Sequence, residues 1–411
     1  MKRIALVLVT LGCLPMALSG TQSRLGSHDF ASVSHGRYLV QAGDCEACHT
    51  VQGGAPFAGG RPVPTPFGVI YSDNITPDRD TGIGTWTDED FYKAMHNGLD
   101  RQGRHLFPAF PYPWFTRLNR ADVHDIKAYL DTVAPVRQVD RQPELPWPVS
   151  SRHSMAVWDT LYFKPGTYVY RHDKSPEWNR GAYLVQGVGH CGACHSGKNV
   201  LGAADQQHPL QGGFAEDVYA PNLGQGNDDG LSRWSEQDIV DYLHTGRSRQ
   251  ATAAGPMAEA VEQSTQNLSQ ADLHAIALYL KGVQGPQADR PSTPDVQVMR
   301  DGSGLYADQC TGCHMENGSG EPGVFPALRG NNSVMAAKPD TIIATVLKGA
   351  RLPSTRAAPT ALAMPGFAEK LDDEQIAALV TYIRNAWGNH GSAVSASDVG
   401  DLRKRLHQAQ E

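Results

Sequence analysis

Apolar positions recur along this chain with a helical period, and the same series of helical patterns is met three times. Late in each third lies an amphipathic run: Asp122-Val-His-Asp-Ile126-Lys-Ala-Tyr129-Leu, Asp272-Leu-His-Ala-Ile276-Ala-Leu-Tyr279-Leu and Gln375-Ile-Ala-Ala-Leu379-Val-Thr-Tyr382-Ile. Leu273, Ile276, Ala277 and Leu280 stand at i, i+3, i+4 and i+7, the spacing of one buried stripe on an α-helix. Before it comes a middle helix, Thr87 to Gly98, Ser235 to Gly246 and Pro339 to Gly349. Thr87 with Asp90 and Ser235 with Asp238 form capping boxes. All three end on a glycine, which suits the left-handed position after a helix. An opening helix precedes each: Gly36-Arg-Tyr38-Leu-Val-Gln, Gly181-Ala-Tyr183-Leu-Val-Gln and the weaker Gly304-Leu-Tyr306-Ala. The recurring Tyr129, Tyr279 and Tyr382 are expected to pack against the opening helix of their own unit. Internal repetition of this kind means repeated structural units. The prediction is an all-α chain of three similar domains over 30–140, 175–285 and 296–390, with a tail over 391–411. Pro-rich residues 134–148 lead to a short connecting helix around Trp158–Phe163, and 285–295 form a surface link.

Between the opening and middle helices of each unit stands Cys-x-x-Cys-His: Cys45-Glu-Ala-Cys48-His49, Cys191-Gly-Ala-Cys194-His195 and Cys310-Thr-Gly-Cys313-His314. This is the signature of covalent c-type haem attachment. Two thiols at this spacing add to the two vinyl groups of one porphyrin, and the adjacent imidazole is the proximal iron ligand. The expectation is three covalently bound c-type haems on tandem class I-like cytochrome c domains, with long Gly- and Pro-rich loops around the porphyrins. Cys45, Cys48, Cys191, Cys194, Cys310 and Cys313 anchor them; His49, His195 and His314 bind iron. Each imidazole should give its second nitrogen to a backbone carbonyl, and for His314 the segment Phe325-Pro326-Ala-Leu328-Arg-Gly330 is the place to look.

The sixth ligand should lie between the middle-helix glycine and the closing helix. Met257 falls there 11 residues past Gly246, and Met364 15 residues past Gly349. A thioether at this position favours the reduced iron. A lone Met is more often core filler, but each is the single Met of its loop. The first unit breaks the pattern: Phe110 is 12 residues past Gly98, where methionine is expected. Three readings stay open for that iron: no protein ligand, His105 from the same loop, or Met95 from the middle helix. Met95 aligns with Leu243 and Val346, which reads as core, and His96 is expected to face outward.

Composition narrows the function. Six of the seven cysteines are in the three motifs and the seventh, Cys13, is near the N-terminus, so there is no disulfide framework. Net charge is −7, with no basic run interleaved with aromatics, so no nucleic acid is expected. Lys2 and Arg3 before the apolar run Ile4–Leu14 and the small residues Ala17, Ser19 and Gly20 read as a signal peptide over 1–20, a retained anchor being the alternative. After it no apolar run reaches the length of about 18 residues that suggests a span. Basic residues after Asp401 read as a solvated helix end, with lipid headgroup contact the alternative.

Longer stretches resemble the membrane-associated cytochrome c subunits of bacterial periplasmic dehydrogenases. They are Gly59-Gly60, Thr65-Pro-Phe-Gly68, Asn74-Ile-Thr-Pro77, Thr81-Gly-Ile-Gly84, Trp86, Gly181-Ala-Tyr-Leu-Val185, Gly255-Pro-Met257-Ala and Tyr382-Ile-Arg-Asn-Ala-Trp387-Gly. The resemblance takes in quinoprotein alcohol dehydrogenase, flavin-dependent gluconate, sorbitol and fructose dehydrogenases, and molybdenum hydroxylases. Alcohol and sugar members carry Pro-Ala-Met-Pro-Tyr where this chain has Pro108-Ala-Phe110-Pro-Tyr112, and the Phe form looks more like the cytochromes that accompany molybdenum hydroxylases. The resemblance implies an electron-transfer subunit, itself not an enzyme, that is periplasmic and peripherally attached to the membrane. Its partners would be a catalytic dehydrogenase subunit of quinoprotein, flavoprotein or molybdenum type, and ubiquinone or a terminal oxidase. The alternatives are a haem peroxidase using an open first haem, with His105 as its acid-base group, and a free periplasmic carrier.

Overall fold

A computed structural model describes residues 29–215, 218–226, 230–286 and 291–408. The expected signal segment and Cys13 lie outside the described residues. Unit one runs through α1 (Phe30–Ala42), α2 (Cys45–Cys48), the hairpin β1 (Pro62–Thr65) and β2 (Gly68–Tyr71), α3 (Asp88–Asn97), α4 (Tyr112–Phe115) and α5 (Arg120–Leu130). A connecting helix α6 (Arg152–Tyr162) follows. Unit two repeats the order with α7 (Pro176–Gln186), α8 (Gly192–His195), β3 (Gly213–Ala215), β4 (Val218–Ala220), α9 (Glu236–Thr245), α10 (Pro256–Gln263) and α11 (Gln270–Lys281). Unit three has α12 (Val296–Gln309), α13 (Thr311–His314), α14 (Asn332–Met335), α15 (Asp340–Lys348), β5 (Ala350–Arg351), β6 (Ala363–Met364), α16 (Asp373–Asn385) and α17 (Ala396–Gln408). The chain is mostly helical, with one short antiparallel hairpin per unit that the helical periodicity does not announce. In the first, Pro62 pairs with Tyr71 and Thr65 with Gly68 across a two-residue turn.

Each unit is built on a crossing of its opening and closing helices: α1 on α5, α7 on α11, α12 on α16. A glycine makes each crossing. A Cβ on Gly36 would lie 1.8 Å from the Asp125 carbonyl oxygen, one on Gly181 1.9 Å from that of Ala275, and one on Gly302 2.2 Å from that of Ala378. The same three hypothetical atoms would stand 3.0, 2.9 and 2.6 Å from the Cβ of Tyr129, Tyr279 and Tyr382. The recurring tyrosines therefore pack where expected. The third-unit alignment needs correction: the crossing glycine is Gly302, and Gly304 has open space beside it.

The middle helices end on glycines at φ 65°, 74° and 77°, a region that favours glycine. Capping boxes open α3 and α9 as expected, and a third, Asp372 with Gln375, opens α16. Within the expected tail, Ala396–Gln408 form α17, which buries Val399, Leu402 and Leu406 in the unit-three core. Its cations bind the unit too: Arg403 pairs with Asp373 and Arg405 with Asp340. The apolar stripe of that helix needs a partner face, and α15 with α16 supply one.

Units one and two share a single hydrophobic core, whereas unit three has its own. The shared interface is reciprocal. Tyr38 of α1 donates to Asp272 of α11 at 2.5 Å, and Tyr183 of α7 donates to Asp122 of α5 at 2.5 Å. Each hydroxyl also accepts from the backbone N–H of the residue capping that closing helix, Ser269 or Asn119, both at 3.1 Å. Two copies of one unit thus meet through the same patch, as in a two-fold symmetric dimer. Unit three is met mainly through polar contacts, with Val218 packing on its core: the Thr341 hydroxyl exchanges hydrogen bonds with the Tyr219 backbone, and Arg247 reaches the carbonyl of Gly323 at 2.8 Å.

Candidate functional site: three attachment turns and their second faces

The opening helix stops four or more residues short of each histidine, and a single helical turn begins. In α2, α8 and α13 that turn sets two cysteines at i and i+3 and histidine at i+4, on one side. None of the six cysteines is in a disulfide, so all six are available for thioether bonds.

Each histidine is held the same way. His49 Nδ1 lies 2.7 Å from the Asp73 carbonyl oxygen, His195 Nδ1 2.7 Å from that of Pro221, and His314 Nδ1 3.0 Å from that of Pro326. A carbonyl only accepts, so Nδ1 carries the proton and Nε2 keeps its lone pair. Burial lowers the proton affinity of all three imidazoles, against a smaller opposing pull from those carbonyls. They are neutral and oriented, the state in which imidazole binds a metal. The Pro326 carbonyl lies in the segment singled out in the sequence. Those of Asp73 and Pro221 had no such marker, although one signal was present: each precedes a buried asparagine, Asn74 and Asn222, whose side chain closes the next turn by accepting the N–H of Thr76 or Gly224.

The N–H of Leu106 bonds to the carbonyl of Gly98 at 2.7 Å, and that of Ala253 to Gly246 at 2.8 Å. Four residues beyond each stand Phe110 and Met257. The two positions are equivalent. Met257, on the first turn of α10, is half-buried beside Tyr242, Ala253 and Val261. Met364 lies in β6, paired with Ala350 just past Gly349, and packs on the unit-three core. Phe110 packs at a tilt against Phe115, with centroids 5.5 Å apart and planes at 56°. Met95 is 4% exposed within the shared core. His105 is turned onto α6: its Nδ1 bonds to Asp159, which also accepts from the Tyr112 hydroxyl at 2.5 Å. Arg152 of α6 donates to the His105 carbonyl at 3.0 Å. His96, expected outward, is half-buried and stacks on Tyr92.

A porphyrin fits this set of residues. The indole N–H of Trp234 and an amide nitrogen of Gln225 are buried without a hydrogen-bond partner among the described residues. Such orphan donors cost about 1–3 kcal/mol each, and carboxylate side arms of a porphyrin would satisfy them.

The cytochrome c family profile matches residues 33–134, 179–284 and 299–387. The chain is 39% identical to the gluconate 2-dehydrogenase cytochrome c subunit of Pantoea cypripedii, over 98% of this chain and 94% of that protein. It is 38% identical to the cytochrome c subunit of the quinone alcohol dehydrogenase of Gluconobacter oxydans, over 94% and 85%. With the fructose dehydrogenase cytochrome subunit of Gluconobacter japonicus it shares 38% identity over 90% of this chain and 82% of that one. Three attachment turns, three carbonyl-held imidazoles and three profile matches coincide unit by unit, and the chain belongs to the cytochrome c family, with covalently bound c-type haem as its cofactor.

Proposed function

We propose that this protein is the electron-transfer subunit of a periplasmic dehydrogenase complex. It receives single electrons from a catalytic subunit and passes them to membrane ubiquinone or a terminal oxidase. The observation that carries the reading is the repetition: one carbonyl-held imidazole beside one cysteine pair, three times, in a chain aligned almost end to end with cytochrome subunits of named dehydrogenases. Among the described residues no helix is long and apolar enough to cross a membrane.

When bound, each haem supplies a one-electron couple at its iron. The chain's own residues do the rest. Cys45 with Cys48, Cys191 with Cys194 and Cys310 with Cys313 anchor the three porphyrins. His49, His195 and His314 present Nε2 to the metal, kept in that tautomer by the Asp73, Pro221 and Pro326 carbonyls. Met257 and Met364 supply thioether sulfur to the second and third sites. We read the first site, with Phe110 at that position, as having no protein ligand on its second face: Met95 lies in the core, and His105 bonds through Nδ1 to Asp159 of α6, which leaves its Nε2 as the competing ligand.

The direct test mixes the purified holo-protein with a quinoprotein, a flavoprotein and a molybdenum dehydrogenase in turn, each with its substrate. Reduction of the haem bands by one class, followed by reoxidation with a ubiquinone analogue, is expected. No reduction by any class, together with peroxide turnover well above that of free haem, would overturn the reading. For the first site, a high-spin ferric signal and carbon monoxide binding at one haem in three are expected.

A further inference from the structure

The residue before the first cysteine is Asp44 in unit one, His190 in unit two and Gln309 in unit three. Asp44 sits in the left-handed region, φ 54° and ψ 31°, at the corner between α1 and α2. Aspartate enters that region at small cost, and here it turns the carboxyl under the attachment turn. Its Oδ1 is buried without a hydrogen-bond partner among the described residues. The carboxyl borders a cavity of about 270 Å³ shared with Arg37, Gln41, Glu46, Glu262 and Tyr129. That space is polar and large enough for several waters, so a proton has a way in.

The surrounding charges favour the neutral acid. Glu259 and Glu46 both act against ionisation, and one cation, Arg61, opposes them. Arg61 is shared: it grips Glu259 of unit two through both nitrogens while donating to the Ala47 carbonyl at 2.6 Å inside the first attachment turn. From the cavity, Arg37 and Glu262 offset each other in charge and Tyr129 is neutral. Burial first, then Glu259, pushes Asp44 up to about 7. The pseudo-symmetric His190 is placed differently: its Nδ1 is satisfied by the Val188 carbonyl at 2.9 Å, and burial keeps it neutral.

We propose that Asp44 is a redox-linked proton site of unit one, its carboxylate taking a proton from solvent when the haem on Cys45 and Cys48 gains an electron and returning it when that electron leaves. This rests on haem attachment at those two cysteines. One electron and one proton enter together, the electron coming from the partner dehydrogenase, and the only bond made is O–H on the carboxyl. The sign follows from Coulomb's law: an oxidised site adds positive charge beside Asp44 and favours the carboxylate.

The test is spectroelectrochemical titration of the full three-haem protein at a series of pH values, with haem content measured separately. One of the three potentials should fall as pH rises through neutrality. In D44N that potential should become independent of pH, since asparagine keeps the left-handed turn and cannot ionise. In E259Q the pH-dependent window should move to lower pH. Infrared difference spectra should show a protonated carboxyl appearing on reduction in the parent and absent in D44N. Three potentials all flat across neutrality, or a D44N protein with undiminished pH dependence, would overturn the proposal. If D44N does not fold, an unmoved window in E259Q does the same. A chain without three haems would defeat the underlying attachment instead.

Discussion

At the scale of single residues, the informative position is Phe110. It holds the place of Met257, yet it has no atom that binds iron, and it is anchored by Phe115 and Tyr112 rather than strained. F110M should therefore restore a sulfur at that face at little cost, because phenylalanine and methionine have similar volume and swaps of this kind usually cost under about 1.5 kcal/mol. The expected result is a first haem that turns low-spin, gains a sulfur-to-iron charge-transfer band and loses carbon monoxide binding. A variant that stays high-spin would show that the loop does not deliver its side chain to the metal. Trp234 offers a second check. W234F removes an orphan buried donor, so apo-protein stability should hold or rise, while the potential of the second haem should shift if the indole serves a porphyrin carboxylate. Of this chemistry, the cysteine and histidine positions were legible because covalent attachment fixes their spacing. The Asp73 and Pro221 carbonyls were not, since any residue type can supply a backbone oxygen. Nor was the role of His105: its tie to Asp159 spans two elements 54 residues apart, and no local pattern marks it.

At the scale of elements, what the sequence showed best was whatever repeats with a period. Capping boxes, glycine stops and apolar stripes specify helices locally, so the middle and closing helices stand where their patterns place them. The hairpins were missed because strands of two to four residues carry too few positions to show alternation. The third opening helix was misread by two residues for a related reason. The sequence around Gly304 looks like the other glycine-tyrosine pairs, but the crossing is chosen by contact with α16, and only Gly302 makes it. This gives a sharp comparison. G302A must push a methyl into the Ala378 carbonyl, as G36A and G181A must into theirs, and should cost at least the 1–3 kcal/mol typical of overpacking, about as much as a marginal domain can lose. G304A fills open space on an exposed helical turn and should be neutral or stabilising by up to about 1 kcal/mol, alanine being the better helix former. Denaturation midpoints of the two variants decide it; equal destabilisation would place the crossing wrongly.

At the scale of the whole molecule, three repeats do not make three equal bodies. Units one and two are joined by reciprocal Tyr38–Asp272 and Tyr183–Asp122 bonds over one continuous core, and within unit two Arg180 holds Asp272 in place with a bidentate pair. Unit three meets them through polar contacts and the packing of Val218, and keeps a separate core closed by α17 and by Arg384, whose buried guanidinium ties Val334, Ala336 and Ser392 together. Cooperativity follows burial: elements that share a core lose it together, and elements that share little apolar packing part at lower cost. Denaturation of the holo-protein should therefore show two transitions rather than one or three, the first body comprising residues 30–285 and the second 296–408. Y38F removes a hydrogen bond to a charged acceptor, worth about 1.5–3 kcal/mol, and should lower the transition of the first body alone. Y183F should do so by a comparable amount through the mirrored bond. Because the two sites lie in one interface, the double variant should depart from the sum of the singles, as coupled neighbours do. Hydrogen exchange resolved by peptide assigns each transition to its body. If Y38F shifts unit three equally, the three units share one cooperative fold and the two-body reading fails; if it shifts unit one and leaves unit two unmoved, the reciprocal interface does not hold them together.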